Sequence, residues 1–449
     1  MDLLIIGGTV VTCDPANRVI RGDVLVRDGR IAAVGQGATF STIPGARAVD
    51  ARGCLIVPGF VQAHVHLCQA LFRGFAEDLP LLEWLSQRIW PFEGAHTPET
   101  LAASARLGIA ELLLGGTTCA LDMGTVRHQD AIFEVARDAG LRLTSGKAMM
   151  DKGQGRPPGL RESTDESLRD ADDLAARWHG AADGRLRYAF APRFILSCSD
   201  ALLTEVARLA RSRSCLLHTH ASENPGELDA VRSATGKDNV VALHERELTG
   251  PDVVLAHCVW LTSEEQKLLR TTGTKVAHCP STNLKLASGV AHVPELLEQG
   301  ITVALGADGA PCNNRLSQLT EMRMAALLQK PRCGASAMPA QGVVRLATIE
   351  GARALGLERD IGSIEPGKRA DLVVIDTRRP HLAPFSDPFA MLVYGAEASD
   401  VRDVFVDGEW LVRDRELVRW DLTEVLAGAD VAIDDVLGRA GAERRKLKG

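Results

Sequence analysis

Two histidines separated by one residue, His64 and His66, end the strand-like run that begins at Pro58. In a strand, side chains at i and i+2 point the same way, so this pair could reach one ion together. A neutral imidazole is a good ligand for zinc or a similar divalent cation. A His-x-His pair alone is weak evidence. Further polar groups follow later apolar runs: His218-Thr219-His220 with Glu223, then His257, then His278-Cys279-Pro280, then Asp308. Six of the chain's 12 histidines fall at these ends. Any one alone reads as a satisfied polar residue. As a set they read as one site, because buried imidazoles and carboxylates cost several kcal/mol unless paired or metal-bound.

The elements that must carry these residues are strands alternating with helices. Apolar runs end at or near His66, Leu121, Ser145, Ala191, His220, His257, His278 and Gly306. Thr97-Pro98 opens a helix to about Leu114, and Thr262-Ser263-Glu264-Glu265 is a capping-box pattern. Eight strand–helix repeats predict a (β/α)8 TIM barrel, with active groups at the C-terminal strand ends. A doubly wound sheet is the alternative, weakened because no Gly-x-Gly-x-x-Gly follows an early strand. Residues 1–57 read as short strands, with Asp28-Gly29 as a hairpin turn. Strands return over Ala370–Asp376 and around Asp407-Gly408, and the chain beyond Leu422 reads as helix. The expected organisation is a small β-sandwich built from both chain ends (1–57 and 363–425), a barrel over 58–362, and a helical tail over 426–449. Lys152–Gly159, rich in glycine and proline, reads as a mobile loop over the barrel mouth.

The composition fits a globular α/β chain: 449 residues, 45% hydrophobic, 24% charged, net charge −7. Lysine and arginine form no stripe, which argues against nucleic acid as a partner. The short basic run Arg444–Lys448 reads as solvated. No apolar run is long enough to span a bilayer, and the start lacks the basic leader of a signal peptide, so no membrane role and a cytoplasmic location are expected. The ten cysteines are scattered without Cys-x-x-Cys, and they read as reduced thiols.

Several stretches together resemble the amidohydrolase superfamily, and within it the aminohydrolase branch of methylthioadenosine/S-adenosylhomocysteine, 5′-deoxyadenosine and guanine deaminases and s-triazine hydrolases. They are Pro58–His66, Leu82–Glu93, His220-Ala221-Ser222-Glu223, His257-Cys258-Val259, His278–Gly289, Gly306–Ala310 and Gly362–Leu372. The resemblance implies one divalent ion, zinc with iron or manganese as alternatives, held by His64, His66, His220 and Asp308. His218, one step deeper on the same face, ranks as support. It further implies that Asp308 takes a proton from the attacking water, His257 orients that water, and Glu223 protonates the ring nitrogen beside the attacked carbon. No lysine stands at the end of the fourth strand, where Ala191-Pro192-Arg193 lies, as expected for a branch without a carbamylated lysine.

Substrate contacts are less decided. Glu93 lies where adenosine-type members bind ribose hydroxyls, while Gln69 and Arg193 resemble the base-binding residues of guanine deaminases. Glu223 and His257 would also touch substrate. The expected activity is hydrolytic deamination of an aminopurine, preferably 5′-deoxyadenosine, methylthioadenosine or S-adenosylhomocysteine, giving the inosine analogue and ammonia. Guanine deamination and s-triazine hydrolysis are the alternatives, and a non-catalytic metabolite-binding barrel the more distant one. The resemblance also implies a homo-oligomer, a dimer or tetramer.

Overall fold

The computed structural model describes residues 2–35, 45–153 and 155–444. Part of the basic run at the C-terminus and one residue of the glycine-rich loop fall outside them. The barrel strands are Phe60–His66, Thr117–Met123, Arg142–Gly146, Leu186–Pro192, Leu216–Ala221, Val253–His257, Lys275–His278 and Val303–Leu305. They pair in parallel in chain order. Both faces of such strands are covered, which is why Val253–Ala256 is a continuous apolar run rather than an alternating one. Small and branched residues (Val61, Ala63, Leu121, Ala189, Val254, Ala277 and Ala304) fill the lower barrel.

The ring closes just past the eighth strand. Asp308 pairs with Val65 and Gly309 with His66, so the last strand returns to the end of the first. Gly306 is required for this closure, since a Cβ there would lie 2.8 Å from the backbone and Cβ of His64.

The chain ends join in one nine-stranded sheet. The link is Cys54–Pro58, antiparallel to Leu372–Asp376. The far edge, Arg30–Gly35, curls back so that Ile31 N donates to Lys368 O and Gly367 N to Ile31 O, each at 2.8 Å. Strand alternation divides the work. Leu372 and Val374 face the sheet's own core with Ile5, Val24 and Ile56, whereas Val373 and Ile375 pack into the barrel's outer core.

A buried ion-pair cluster ties the two parts together. Arg142, at the start of the third barrel strand, donates to Asp371 at 2.9 and 3.0 Å and to Asp407 at 2.8 Å. Removing one member of such a cluster strands the rest without water. Arg142→Met is therefore expected to destabilise the fold by about 3–5 kcal/mol, read as a lower urea midpoint with unchanged slope.

Two helices begin as their sequences predict. Thr97 accepts from Thr100 N with Pro98 in the first turn. Thr262 and Glu265 form a reciprocal capping box, closed by Gly273 at φ +72. The helix Leu422–Arg439 buries Val425, Ala429, Ala432, Ile433, Val436 and Leu437, an i, i+4, i+7 stripe. Around Gly153–Gly159, the Arg156 guanidinium binds Met150 O and Asp151 O, and Gly159 packs on Gly94 O beside the barrel mouth.

Candidate metal and active centre

The strand ends converge on one point. In two overlapping groups, His64, His66 and Asp308, and His64, His220 and His257, the ligand atoms lie within 4.8 Å of one another. Asp308 Oδ1 is 3.4 Å from His64 Nε2 and 3.3 Å from His66 Nε2. His66 gives its Nδ1–H to Met123 O at 2.7 Å, and His220 gives its own to Arg193 O at 2.6 Å. A carbonyl only accepts, so both Nε2 atoms carry lone pairs. Those lone pairs face each other at 3.3 Å.

His64 Nε2 is buried with no hydrogen-bond partner among the described residues. Opposed lone pairs and an orphaned buried nitrogen are unfavourable alone and are satisfied by a cation between them. Burial lowers His66 to about 3, which keeps that ring neutral and able to ligate. Three imidazole nitrogens and a carboxylate fit zinc, and iron or manganese as well. The donor set therefore fits a divalent ion.

The remaining groups ring this point. His257 Nδ1 lies 2.9 Å from Asn283 Oδ1, so it donates there and leaves Nε2 as the free lone pair. That nitrogen is 3.6 Å from Glu223 Oε2 and 3.9 Å from Asp308 Oδ2. Glu223 is buried, with Oε1 unpartnered among the described residues. Burial first, then the charges of Asp308 and Glu227, push its carboxyl well above the ordinary range. His257 and Asp308 have φ of 73° and 61°, and Ser222 53°. Non-glycine residues in this region carry local strain, here where strand ends must turn side chains sharply inward. His278 lies apart from the ligand groups, buried, with neither ring nitrogen hydrogen-bonded among the described residues.

Three groups named for substrate bind one another. Arg193 spans both oxygens of Glu93, at 2.5 and 3.2 Å, and Gln69 Nε2 donates to Glu93 at 2.8 Å. Arg193 and Gln69 line the cavity, with Glu93 behind them. Leu81, Trp84, Leu85, Phe194 and Leu286 form its apolar roof. The cavity holds about 30 Å³, room for water but not for a purine.

The family model of the amidohydrolase family matches residues 55–411. The chain belongs to that family. A 5′-deoxyadenosine deaminase of Methanothermobacter thermautotrophicus is 41% identical over 94% of this chain and 96% of its own length. A 5-methylthioadenosine/S-adenosylhomocysteine deaminase of Syntrophobacter fumaroxidans is 40% identical over 95% and 96%. Among solved structures, an adenosine deaminase from Xanthomonas campestris with bound zinc superimposes with a TM-score of 0.91 at 35% identity, covering 97% of this chain and 98% of that one. The barrel and end-to-end sheet of this chain are thus those of an amidohydrolase.

Several contributors were not named from the sequence. Asn283 lies in the His278–Gly289 stretch, but only the fold brings it to His257. Asp122 accepts from Leu67 N at 2.7 Å and Ser145 Oγ at 2.5 Å, fixing the chain just after His66. Burial raises its carboxyl to about 6. Glu227, in the first turn of the helix Pro225–Thr235, accepts from Glu223 N at 2.8 Å.

Proposed function

We propose that this amidohydrolase removes ammonia from an aminopurine, with a 5′-modified adenosine (5′-deoxyadenosine, methylthioadenosine or S-adenosylhomocysteine) as preferred substrate and the inosine analogue as product. The observation that carries this reading is the convergence of His64, His66, His220 and Asp308 beside a buried Glu223 and His257. The deaminase names of the relatives support it. One divalent ion, zinc rather than iron or manganese, would sit among the first four residues. When bound, such an ion makes hydroxide available at neutral pH by lowering water's pKa from about 16 toward 7.

The chain's own residues do the rest. Asp308 takes a proton from the attacking water, and His257 Nε2 orients that water. Glu223 delivers its proton to the ring nitrogen beside the attacked carbon. The proton held by Asp308 then passes to the exocyclic amine, the C–N bond breaks and ammonia leaves, while the hydroxyl that came from water returns its proton to Glu223 as the carbonyl forms. The protein would work in the cytoplasm as a homodimer or tetramer.

One observation favours a second reading. Both oxygens of Glu93 are engaged by Arg193, so a ribose diol would have to compete with a buried ion pair for that carboxylate. Guanine or a related free base needs no such exchange. Displacement of a group from an s-triazine by the same water is the remaining alternative.

Ammonia release from 5′-deoxyadenosine, methylthioadenosine, S-adenosylhomocysteine and guanine, measured side by side, separates these readings. Activity on none of the four would end the purine assignment. Arg193→His should free Glu93 and raise the nucleoside-to-base ratio of kcat/KM by about 10–100-fold, the worth of one hydrogen bond to a charged group.

A further inference from the structure

His218 has a fixed place that the proposed chemistry does not use. It points into the barrel from the fifth strand, two residues before His220, in register with Val254 of the sixth. Its side chain is fully buried. Its Nδ1 lies 2.9 Å from Val254 O, and its Nε2 lies 2.7 Å from His64 Nδ1.

The proton positions follow from the partners. A carbonyl oxygen cannot donate, so His218 Nδ1 carries the hydrogen and gives it to Val254 O. A neutral imidazole has one N–H, so His218 Nε2 is an acceptor. His64 Nδ1 must then be the donor across the 2.7 Å contact. His64 is left with its lone pair on Nε2, the atom that faces Asp308.

The other two imidazoles reach the same state by a shorter route. His66 and His220 each donate Nδ1–H directly to a carbonyl. His64 has a second imidazole as its acceptor, and that imidazole passes the constraint on to Val254 O.

We infer that His218 is a positioning residue that sets the tautomer of His64 and thereby completes the set of three Nε2 lone pairs presented to the cation. It would not bind the ion. Its contribution is the acceptor at Nε2, not its bulk. This rests on the assignment of His64 as a metal-binding residue.

The test compares two variants by zinc affinity rather than turnover. His218→Leu fills the space but offers no acceptor, and His218→Gln places an amide oxygen near the lost Nε2. Zinc dissociation constants come from competition with a chromophoric chelator. The expected result is a 10–100-fold weaker constant for His218→Leu, the usual cost of losing a ligand's hydrogen-bond partner, with most of the affinity kept in His218→Gln. Equal affinity in His218→Leu and the parent overturns the inference. Equal weakening in both variants does so too, because it marks a packing role.

The unmodified protein provides a check independent of variant folding. In zinc-loaded protein labelled with 15N-histidine, His64 and His218 should both be protonated at Nδ1. An unprotonated Nδ1 on His64 overturns the relay. A parent that binds no zinc would instead remove the metal-site assignment beneath it.

Discussion

Glu223→Gln is expected to lower kcat by about 10²–10⁴-fold, the range for loss of a positioned proton donor, while KM and bound metal stay close to the parent values. The amide keeps the shape of the carboxyl but has no proton of the right acidity. Burial, followed by the charges of Asp308 and Glu227, raises the carboxyl well above its ordinary 4.5. The side chain therefore holds its proton at a pH where a surface glutamate has lost it. As pH rises through the raised value, the parent should lose kcat on an alkaline limb, and the variant's residual rate should lack that limb. The sign for stability agrees. A carboxyl whose folded pKa exceeds its unfolded pKa favours folding most below the unfolded value, and that contribution fades as pH rises through the folded one. A pH–rate profile paired with urea midpoints across the same range checks both. A variant with parent-like kcat would remove Glu223 from the proton path.

Stripping divalent metal with a chelator is expected to abolish ammonia release and lower Tm, with both restored by added zinc. Without a cation, the facing nitrogens of His66 and His220 at 3.3 Å and the lone nitrogen of His64 are left uncompensated. At free zinc 100-fold above its dissociation constant, binding would add about 2.7 kcal/mol of stability. Asp308→Asn should resemble the chelated protein, since it removes the one negative charge in the donor set. Calorimetry with and without chelator, beside an ammonia assay on the same sample, reads both effects. A chelated protein that is metal-free by elemental analysis yet turns over at the parent rate would sink the scheme.

Much of this was legible in the sequence, for local reasons. Parallel strands buried on both faces leave continuous apolar runs such as Val253–Ala256, and two-residue spacing puts His218 and His220 on one face before any fold is known. Thr262 and Glu265 mark a helix start within four residues. What escaped was long-range and depended on distance in space. Glu93 and Arg193 could each be assigned to substrate, yet nothing local reveals that the two meet as a buried ion pair. Asn283 and Asp122 carry no spacing signal of their own. They matter because the sixth and seventh strands, and the second and third, lie side by side. The closed roof over the cavity is a packing outcome of Leu81, Trp84 and Leu85 that apolar character alone does not announce.

The pairing of Asp308 with Val65 places a proposed ligand on the seam where the ring shuts. During synthesis, a ribosome-bound chain shorter than Asp308 has the imidazoles but not the acid that completes the quartet. Even a finished chain lacks the quartet until its last strand has docked on its first. With the proposed ligand set, metal capture would be a late event in the life of each molecule, and a seated ion would act as a rivet across the joint.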